Sequence, residues 1–494
     1  MLAFPGHAAA DYREVSTRGN ALEAFESLRA QPYPWLLDSS LPSANLGRYS
    51  FAGADPYLVA RAHGSRIDLE CRRPVRPGLR LGALEFDADP FELIRTLLPE
   101  PPRAVPGAPP FIGGAVGYLG YELARHIEPL RLRALDDLGL PDLVLLFVDR
   151  VLVYDHVNDT LGAWGLGFGE EREEAARRAA LAVDALVAAV AAPPPRARRL
   201  RNRRRHAGDP EPLGVVSDLD DSGYRKAIDT ALEEIGAGNV YQACLTRRLE
   251  TAFEDDDDRD GWALYRQLRA VNPAPFASYF ELPGFTIASS SPERFLRLSA
   301  DRTVESRPIK GTRARGRHPA EDDANRFALE TSQKDRAENL MIVDLVRNDL
   351  GRVCETASVA VPEFMAIEAY ASVFQMVSTV TGRVRADLDI VDVLRASFPP
   401  GSMTGAPKIA AMKLLDRLEP VRRGIYSGAI GYFDVRGGAD LSVVIRTLIL
   451  RDGRAYVHTG GGIVADSEPE AELRETRDKA RPLLAALAAL RASY

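Results

Sequence analysis

The sequence predicts an α+β fold, because strand-like and helical segments mix without a regular βαβ order. Residues 143–148 and 151–154 are short apolar runs rich in β-branched residues, which is typical of strands. The alanine-rich segment 175–192 is interrupted by a charge and indicates a helix of a water-soluble protein. Further along, residues 224–236 have helical apolar spacing with a terminal glycine, and residues 240–246 follow as a strand. This irregular order favours α+β over a doubly wound parallel sheet.

Composition is that of an ordinary globular protein of one large or two moderate domains. The 494 residues are 46% hydrophobic and 27% charged. The formal net charge of −7 gives no general reason to expect nucleic acid as a partner. No uncharged stretch is long enough to span a bilayer, so no membrane association is expected.

The cysteines indicate a reducing compartment. Cys71, Cys244 and Cys354 are far apart in the chain, with no pair at metal-ligand spacing. They fit buried apolar positions better than a disulfide framework. The first residues lack the basic flank and apolar run of a secretory signal. A cytoplasmic location is therefore expected.

The clearest boundary is a proline- and arginine-rich segment at residues 193–213. Prolines remove helical hydrogen bonds and clustered positive charges repel one another, so this segment is predicted to be a solvated linker. A nucleic-acid-binding tail is the alternative, but no aromatic residues lie between the arginines to stack on bases. The predicted division is an N-terminal β-rich subdomain at 1–192 and a C-terminal catalytic domain at 214–494.

Two segments each carry a pair of acidic residues on one helix face. Asp335 and Glu338 are three residues apart in a helical pattern, and so are Glu472 and Glu475, with Lys479 one turn later. Hard cations such as Mg²⁺ take carboxylate oxygens as ligands, so two such helices could hold one ion. The alternative for either pair alone is a solvated helix face.

Glycine-rich segments next to these helices favour the functional interpretation. Residues 460–464 precede the second acidic helix, and residues 401–408 open another helix. Backbone N–H groups in such loops can bind an anion, assisted by the helix dipole. Together with Arg446 and a cation, these loops would suit a small polycarboxylate substrate.

Five motifs, in one order, resemble the chorismate-utilising enzymes, which include the component I subunits of anthranilate and aminodeoxychorismate synthases and the isochorismate and salicylate synthases. They lie at residues 291–294, 308–312, 334–349, 404–408 and 460–479. The strong resemblance covers residues 224–479, and the N-terminal half is similar more weakly, at residues 35–39 and 111–122. It implies a large two-layered sandwich of antiparallel β-sheets flanked by helices.

Two positions distinguish branches of this family. Lys310 resembles the aminodeoxychorismate synthases, where anthranilate, isochorismate and salicylate synthases typically have alanine. Gln242 stands where the isochorismate and salicylate synthases place a water-activating lysine, and an amide cannot serve as that base. The resemblance therefore implies amination of chorismate at C4 to 4-amino-4-deoxychorismate. Anthranilate synthase activity and a catalytically silent ligand-sensing homologue remain the alternatives.

The resemblance also implies roles for individual residues. Glu293 would be the general acid and Lys310 a nucleophile, and its amine is expected to be neutral beside Mg²⁺ and Lys479. Glu338 and Glu475 would hold Mg²⁺, supported by Asp335 and Glu472. The implied substrate-binding residues are Gln242, Gly311, Thr312, Gln375, Thr404, Gly405, Tyr426, Arg446, Gly462 and Lys479. Of these, Gln375 occupies the place where many relatives have an active-site histidine.

The expected partners are chorismate and a source of ammonia. None of the three cysteines sits in a glycine-rich nucleophile elbow, so the resemblance implies a separate glutamine amidotransferase subunit. The product would supply 4-aminobenzoate and folate synthesis or a specialised aminated metabolite. Residues 35–39 resemble the place where relatives bind tryptophan, and whether tryptophan binds here is left open.

Overall fold

The structure is a computed structural model that describes residues 6–492, except 16–20, 42–45, 77, 100, 103–104, 193–213, 254–259 and 371–372. Its strands are β1 His7–Glu14, β2 Trp35–Asp38, β3 Tyr49–Gly53, β4 Leu58–His63, β5 Arg66–Cys71, β6 Gly82–Asp87, β7 Gly114–Leu119, β8 Leu143–Val148, β9 Arg150–Asp155, β10 Thr160–Gly169, β11 Val216–Ser217, β12 Gln242–Ala252, β13 Phe276–Leu282, β14 Phe285–Ser291, β15 Arg294–Leu298, β16 Thr303–Arg307, β17 Ile309–Ala314, β18 Ala360–Ala369, β19 Val373–Arg383, β20 Gly405–Ala406, β21 Ala429–Asp434, β22 Ala439–Val443, β23 Thr447–Arg451 and β24 Arg454–Ile463.

The helices carry the acidic pairs and cover the outer faces of the sheets. They are α1 Ala21–Leu28, α2 Pro90–Leu97, α3 Arg172–Ala191, α4 Asp221–Gly236, α5 Gly261–Val271, α6 Pro319–Glu330, α7 Gln333–Gly351, α8 Ile390–Ser397, α9 Lys408–Leu418 and α10 Pro469–Ala492. The predicted helices at 175–192, 224–236 and the two acidic segments are confirmed as α3, α4, α7 and α10.

Two large antiparallel sheets form the molecule. The first has the order β1-β10-β9-β3-β2-β13-β14-β23-β24-β12-β11, with β20 also paired to β12. The second has the order β17-β19-β16-β15-β22-β21-β7-β8-β4-β5-β6, with β18 also paired to β19. This confirms the predicted α+β class and the antiparallel sheets flanked by helices.

Alternating side chains explain why the sheets are layered. In β8, Val144 and Leu146 belong to the apolar core between the sheets, together with Ile287 of the first sheet. The intervening Leu145 and Phe147 point to the opposite face, where helices α2, α7 and α8 pack. Helices α1, α3, α5 and α10 cover the outer face of the first sheet in the same way. A strand buried on both faces reads as a continuous apolar run, as β8 does.

Both sheets combine strands from the two halves of the chain. In the first, β2 pairs with β13, and in the second, β7 pairs with β21. The predicted N-terminal subdomain therefore contributes strands to the same sheets as the predicted catalytic domain. The predicted linker, residues 193–213, lies outside the described residues. Among the helices that the structure describes, none combines the length and apolar character needed to cross a membrane.

Candidate active site

The candidate site lies where β12, β17 and β24 meet the helices α7 and α10. Strand β12 pairs with β24, helix α7 packs on β17, and α10 packs on β24. These contacts bring Gln242, Lys310, Gly462 and the acidic helix faces together. Segments 230 residues apart in sequence thus meet at one end of the sandwich, as the motif pattern predicts.

Lys310 lies inside this site and its amine contacts one of the predicted metal ligands. The Lys310 Nζ atom is 3.7 Å from Glu338 Oε2, and the two side chains are only 13% and 12% exposed. Burial lowers the pKa of Lys310, but Glu338, Glu293 and Glu475 outweigh burial, so that the pKa lies above its usual value. The expected neutral amine is therefore not produced by the protein's own groups, because carboxylates dominate around it.

Two further lysines pair with the other acids of the site. Lys334 Nζ lies 2.9 Å from the buried Glu472, and Lys479 Nζ lies 2.6 Å from Glu475 and donates to the Gly460 carbonyl. Burial raises the pKa of Glu475, but Lys479 outweighs it and the net pKa is lowered. Each predicted metal-binding glutamate thus has one amine as its counter-charge. Because Glu475 compensates the charge of Lys479, Lys479 does little to favour loss of a proton from Lys310.

Asp335 departs from the predicted carboxylate set. Its carboxylate pairs with Arg313 at 2.7 Å, on the strand that also carries Gly311. The Asp335 side chain packs against Gly311, whose φ of +85° suits glycine, and a Cβ there would lie 2.9 Å from it. The pairing with Arg313 makes Asp335 a group that fixes β17 against α7. Across the described residues, no three side chains of His, Cys, Asp and Glu gather closely enough to enclose a metal ion.

Gly462 lies in direct contact with two functional groups of the site, and a larger residue there would displace them. A Cβ at this position would lie 2.4 Å from Gln242 Nε2 and 3.3 Å from Lys310 Nζ. The Gln242 Oε1 atom is buried and has no hydrogen-bond partner within the described residues. Neighbouring Gly461 lies against Glu472 and Glu475 in the same manner. The glycines therefore let the backbone approach the functional side chains closely.

Glu293 is buried beside Lys310, as a general acid would require. Burial raises the pKa of its carboxyl to about 7, against smaller opposing effects of Ser402, Lys310 and Lys479. A carboxyl with this pKa keeps a substantial protonated fraction near neutral pH. Glu293 reaches this position because β14 ends at Ser291, and the backbone then crosses to β15 in the other sheet.

Arg446, Tyr426 and His458 form a second group of residues at the site. Arg446 is partly buried near Tyr426 and Glu475, and among the described residues no ion pair or hydrogen bond involves its guanidinium. Burial lowers the pKa of Arg446, with Tyr426 and Glu475 opposing. The Tyr426 ring stacks on His458, with centroids 5.0 Å apart and 14° between the planes. A partly buried cation without a counter-charge is suited to an anionic ligand.

The remaining predicted substrate residues lie on the surrounding strands and turns. Thr312 and Gln375 are cross-strand partners on β17 and β19. Thr404 is fully buried at the end of the Gly401–Met403 turn, and Gly405 has a φ of +140°. A Cβ at Gly405 would lie 2.2 Å from the Gln242 carbonyl, so only glycine fits there.

Sequence reasoning did not find Lys334, His458 and Arg423 as parts of this region. Lys334 had one signal, since it precedes Glu338 by one helical turn, and the structure places their charged atoms 4.0 Å apart. Arg423 had only Glu419, four residues before it, and His458 had none, because their other contacts are with residues distant in sequence. Arg423 donates to the backbone of Met403 and Cys244, which joins the Thr404 turn to β12.

Comparisons with known proteins agree with this geometry. The model of the chorismate binding enzyme family matches residues 66–485. The chain belongs to this family. It is 43% identical over 482 residues to an aminodeoxychorismate synthase from Streptomyces griseus, an alignment that covers 96% of this chain and 63% of that protein. It is 38% identical to anthranilate synthase component 1 of Cereibacter sphaeroides, covering 91% of this chain and 88% of that one.

Solved structures place the chain within the same fold. Anthranilate synthase component I from Streptococcus pneumoniae TIGR4 superposes with a TM-score of 0.74 at 28% identity, over 90% of this chain and 93% of that one. A putative isochorismate synthase from Bacillus anthracis shares the fold, with a TM-score of 0.62 at 19% identity, over 94% of this chain and 99% of that one. The chain spans less than two thirds of the length of the Streptomyces griseus relative.

Proposed function

We propose that the chain aminates chorismate at C4 and yields 4-amino-4-deoxychorismate. The observation that carries this proposal is the position of Lys310, buried between Glu338 and Gly462 with Glu293 nearby. A buried amine in the centre of a family site supplies a nucleophile that an alanine there would lack. The 43% identity to a protein named aminodeoxychorismate synthase supports the same branch.

The substrate's two carboxylates would meet different parts of the site. Arg446 and Tyr426, with the Gly462 N–H, would hold the enolpyruvyl carboxylate, since Arg446 has no other anionic partner. The ring carboxylate would lie toward Gly311, Thr312 and Lys479. The carboxylate oxygens of Glu338 and Glu475 fit Mg²⁺ by donor chemistry, with Glu472 beside them. When bound there, Mg²⁺ would fix the ring carboxylate and neutralise these glutamates.

The proposed chemistry proceeds through two substitutions. The neutral Lys310 amine forms a bond to C2 while both double bonds of the ring shift by one position and the C4–O bond breaks. Glu293 gives its proton to the departing hydroxyl, which leaves as water. Ammonia then bonds to C4, both ring double bonds shift back and the C2–N bond to Lys310 breaks. Lys310 leaves as the neutral amine that attacked, and the ammonium formed at C4 gives up one proton, which returns Glu293 to its acid form. The overall change is loss of water and gain of ammonia.

We propose that ammonia comes from a separate glutamine amidotransferase. Cys71, Cys244 and Cys354 are all buried and form no disulfide, so none is exposed as a nucleophile for glutamine. Burial also raises the pKa of the Cys71 and Cys354 thiols. The chain alone should therefore use ammonium and not glutamine. Release of glutamate from glutamine by the isolated chain would contradict this.

Product chromatography tests the proposed reaction. Chorismate, Mg²⁺ and ammonium are incubated with the chain and the products are separated. 4-Amino-4-deoxychorismate, with its enolpyruvyl group intact, is expected. Anthranilate with pyruvate would assign the chain to the other activity found among its relatives. Absence of any Mg²⁺-dependent turnover would favour the ligand-sensing alternative.

Intact-protein mass spectrometry tests the role of Lys310. With chorismate and Mg²⁺ but no ammonium, the chain should gain the mass of chorismate less one water, located on Lys310 by peptide mapping. The variant Lys310→Ala should show no adduct. If the parent chain aminates chorismate yet never carries the adduct, covalent catalysis is wrong.

A further inference from the structure

A small cavity with a mainly apolar lining and a few polar groups lies beside Glu293. It admits the centre of a water-sized sphere over about 20 Å³. Apolar side chains of α7 form one wall, and the Gly401–Met403 turn and the end of α8 form the other. The polar groups that line it include Glu293, Ser397, Ser402 and Asp349. None of the predicted substrate residues lines this cavity.

Two buried hydroxyls in the cavity have unused hydrogen-bonding capacity. Ser397 and Ser402 are 4% and 7% exposed, and neither Oγ atom makes a hydrogen bond of good geometry within the described residues. The Ser402 hydroxyl lies close enough to the Glu293 carboxyl for a weak hydrogen bond, which lowers the pKa of that carboxyl. The Ser402 oxygen receives no donor from the described residues, so Ser402 can also bond to a third group.

An ion pair joins one wall of the cavity to α7. Lys408 Nζ pairs with Asp349 at 2.8 Å and donates to the carbonyls of Ser397 and Pro399. This half-buried ammonium fixes the end of α8 against α7. The backbone position of Ser397 is therefore set by these contacts and not by its own hydroxyl.

We propose that one ordered water occupies this cavity, bonded to Ser397, Ser402 and the Glu293 carboxyl. A water needs roughly 10–15 Å³ of such volume and two to four polar partners. The cavity offers about 20 Å³ and three polar groups, which suits one molecule. Empty cavities in proteins are lined by apolar groups alone, whereas this lining includes the Glu293 carboxyl and two hydroxyls.

The role assigned to this water rests on the proposed function of Glu293 as the proton donor. The water and Ser402 bond to the Glu293 carboxyl from the cavity. They direct the Glu293 proton toward the substrate and stabilise the carboxylate after the proton has left. Ser397 and Ser402 are thus positioning residues, acting through the water. The charged groups around Glu293 are Lys310 and Lys479, with Arg294 and the Asp349–Lys408 pair at the cavity.

A crystal structure of the unaltered chain that resolves ordered waters tests the site itself. One water is expected within hydrogen-bonding distance of Ser397 Oγ, Ser402 Oγ and a Glu293 oxygen. An empty cavity, or both hydroxyls turned to backbone acceptors, would overturn the proposal. This test is independent of the reaction product, so it can fail while C4 amination stands, and the converse also holds.

Kinetics of Ser397→Ala, Ser402→Ala and the double variant test the role. Each single change should lower kcat by roughly tenfold and leave KM for chorismate unchanged. The kcat of the double variant should be no lower than that of either single variant, because both hydroxyls act through one water. Losing donors to the carboxylate should also move the alkaline limb of the kcat–pH profile to higher pH. Multiplicative losses, or an unmoved profile, would show that the hydroxyls do not share a water.

Ser278→Ala is the matched control. Ser278 is 1% exposed, and its hydroxyl also lacks a partner among the described residues, but it lies on β13 outside this cavity. Its replacement should leave kcat and the pH profile unchanged. An equal loss of kcat in Ser278→Ala would assign the effect to general loosening of the fold and would refute the positioning role.

Discussion

Replacing the buried Arg423 by methionine should destabilise the chain more than most single substitutions. Arg423 is the charged centre of a network in which its guanidinium donates twice to Glu419, at 2.8 and 2.6 Å, and to the carbonyls of Met403 and Cys244. Its guanidinium also lies 4.6 Å from the Tyr121 ring centroid. The side chain is 1% exposed, so water cannot replace any of these partners.

The magnitude follows from what the substitution leaves behind. Removing one partner of a buried ion pair typically costs about 3–5 kcal/mol, because the other charge stays buried without compensation. In Arg423→Met this charge is Glu419, 7% exposed, which keeps only its bonds from the Thr246 N–H and hydroxyl. We therefore expect a loss of about 3–5 kcal/mol in the free energy of unfolding.

The double variant Arg423→Met with Glu419→Gln separates charge from packing. The glutamine oxygen can still accept both hydrogen bonds from Thr246, and no buried charge remains. It should recover at least about half of the lost stability. Its ammonium-dependent turnover should stay low, since the Met403 turn next to Thr404 has lost its anchor to β12.

Urea unfolding followed by tryptophan fluorescence measures these differences. The parent chain, Arg423→Met and the double variant are compared at one pH. A loss below about 1 kcal/mol in Arg423→Met, as for a surface ion pair, would refute the reasoning. A double variant no more stable than the single variant would show that packing, and not the uncompensated charge, decides the outcome.

Three further predictions concern the site. Gly462→Ala should lower kcat/KM for chorismate by at least about tenfold without unfolding the chain, since its Cβ would displace the Gln242 amide. The Glu293 pKa, raised from 4.5 to about 7, means that the folded chain holds a proton the unfolded chain releases, so this carboxyl's contribution to stability falls as pH rises through that window. Glu293→Gln should remove this pH dependence. In urea unfolding, the parent should lose about 3 kcal/mol relative to this variant as the pH rises from below 4.5 to above 7. Calorimetry should show that chorismate and Mg²⁺ each tighten the binding of the other, with no coupling in Glu475→Gln.

Local features of the site were predictable from sequence, and its charge pairs between distant segments were not. The faces of α7 and α10 follow from acids three residues apart, which depends only on helix geometry. Lys334 and Glu472 are 138 residues apart, and the pairing of Asp335 with Arg313 joins a helix to a strand. Such pairs depend on how the sheets are ordered, which short-range patterns do not encode.

The sheet order itself shows the same limit. The apolar run at residues 143–148 predicts a buried strand, β8. No local pattern of this kind shows that its neighbour β7 pairs with β21, more than 300 residues later in the chain. Antiparallel pairing between distant strands is decided by the packing of whole layers. The predicted boundary near residue 193 therefore separates the chain in sequence, while each sheet still combines strands from both sides of it.

The charge balance of the site gives a physical reason why Mg²⁺ and substrate are proposed to act together. Glu338, Glu472 and Glu475 are each matched by one lysine amine, which leaves Arg446 as the cation without an anionic partner among the described residues. A dicarboxylate brings two negative charges into this buried region, and one guanidinium compensates only half of them. If Lys310 gives up its proton to become a nucleophile, the site lacks one more positive charge. On this proposal, a divalent cation held by Glu338 and Glu475 would remove the deficit in either case, so an acidic site could accept an acidic substrate.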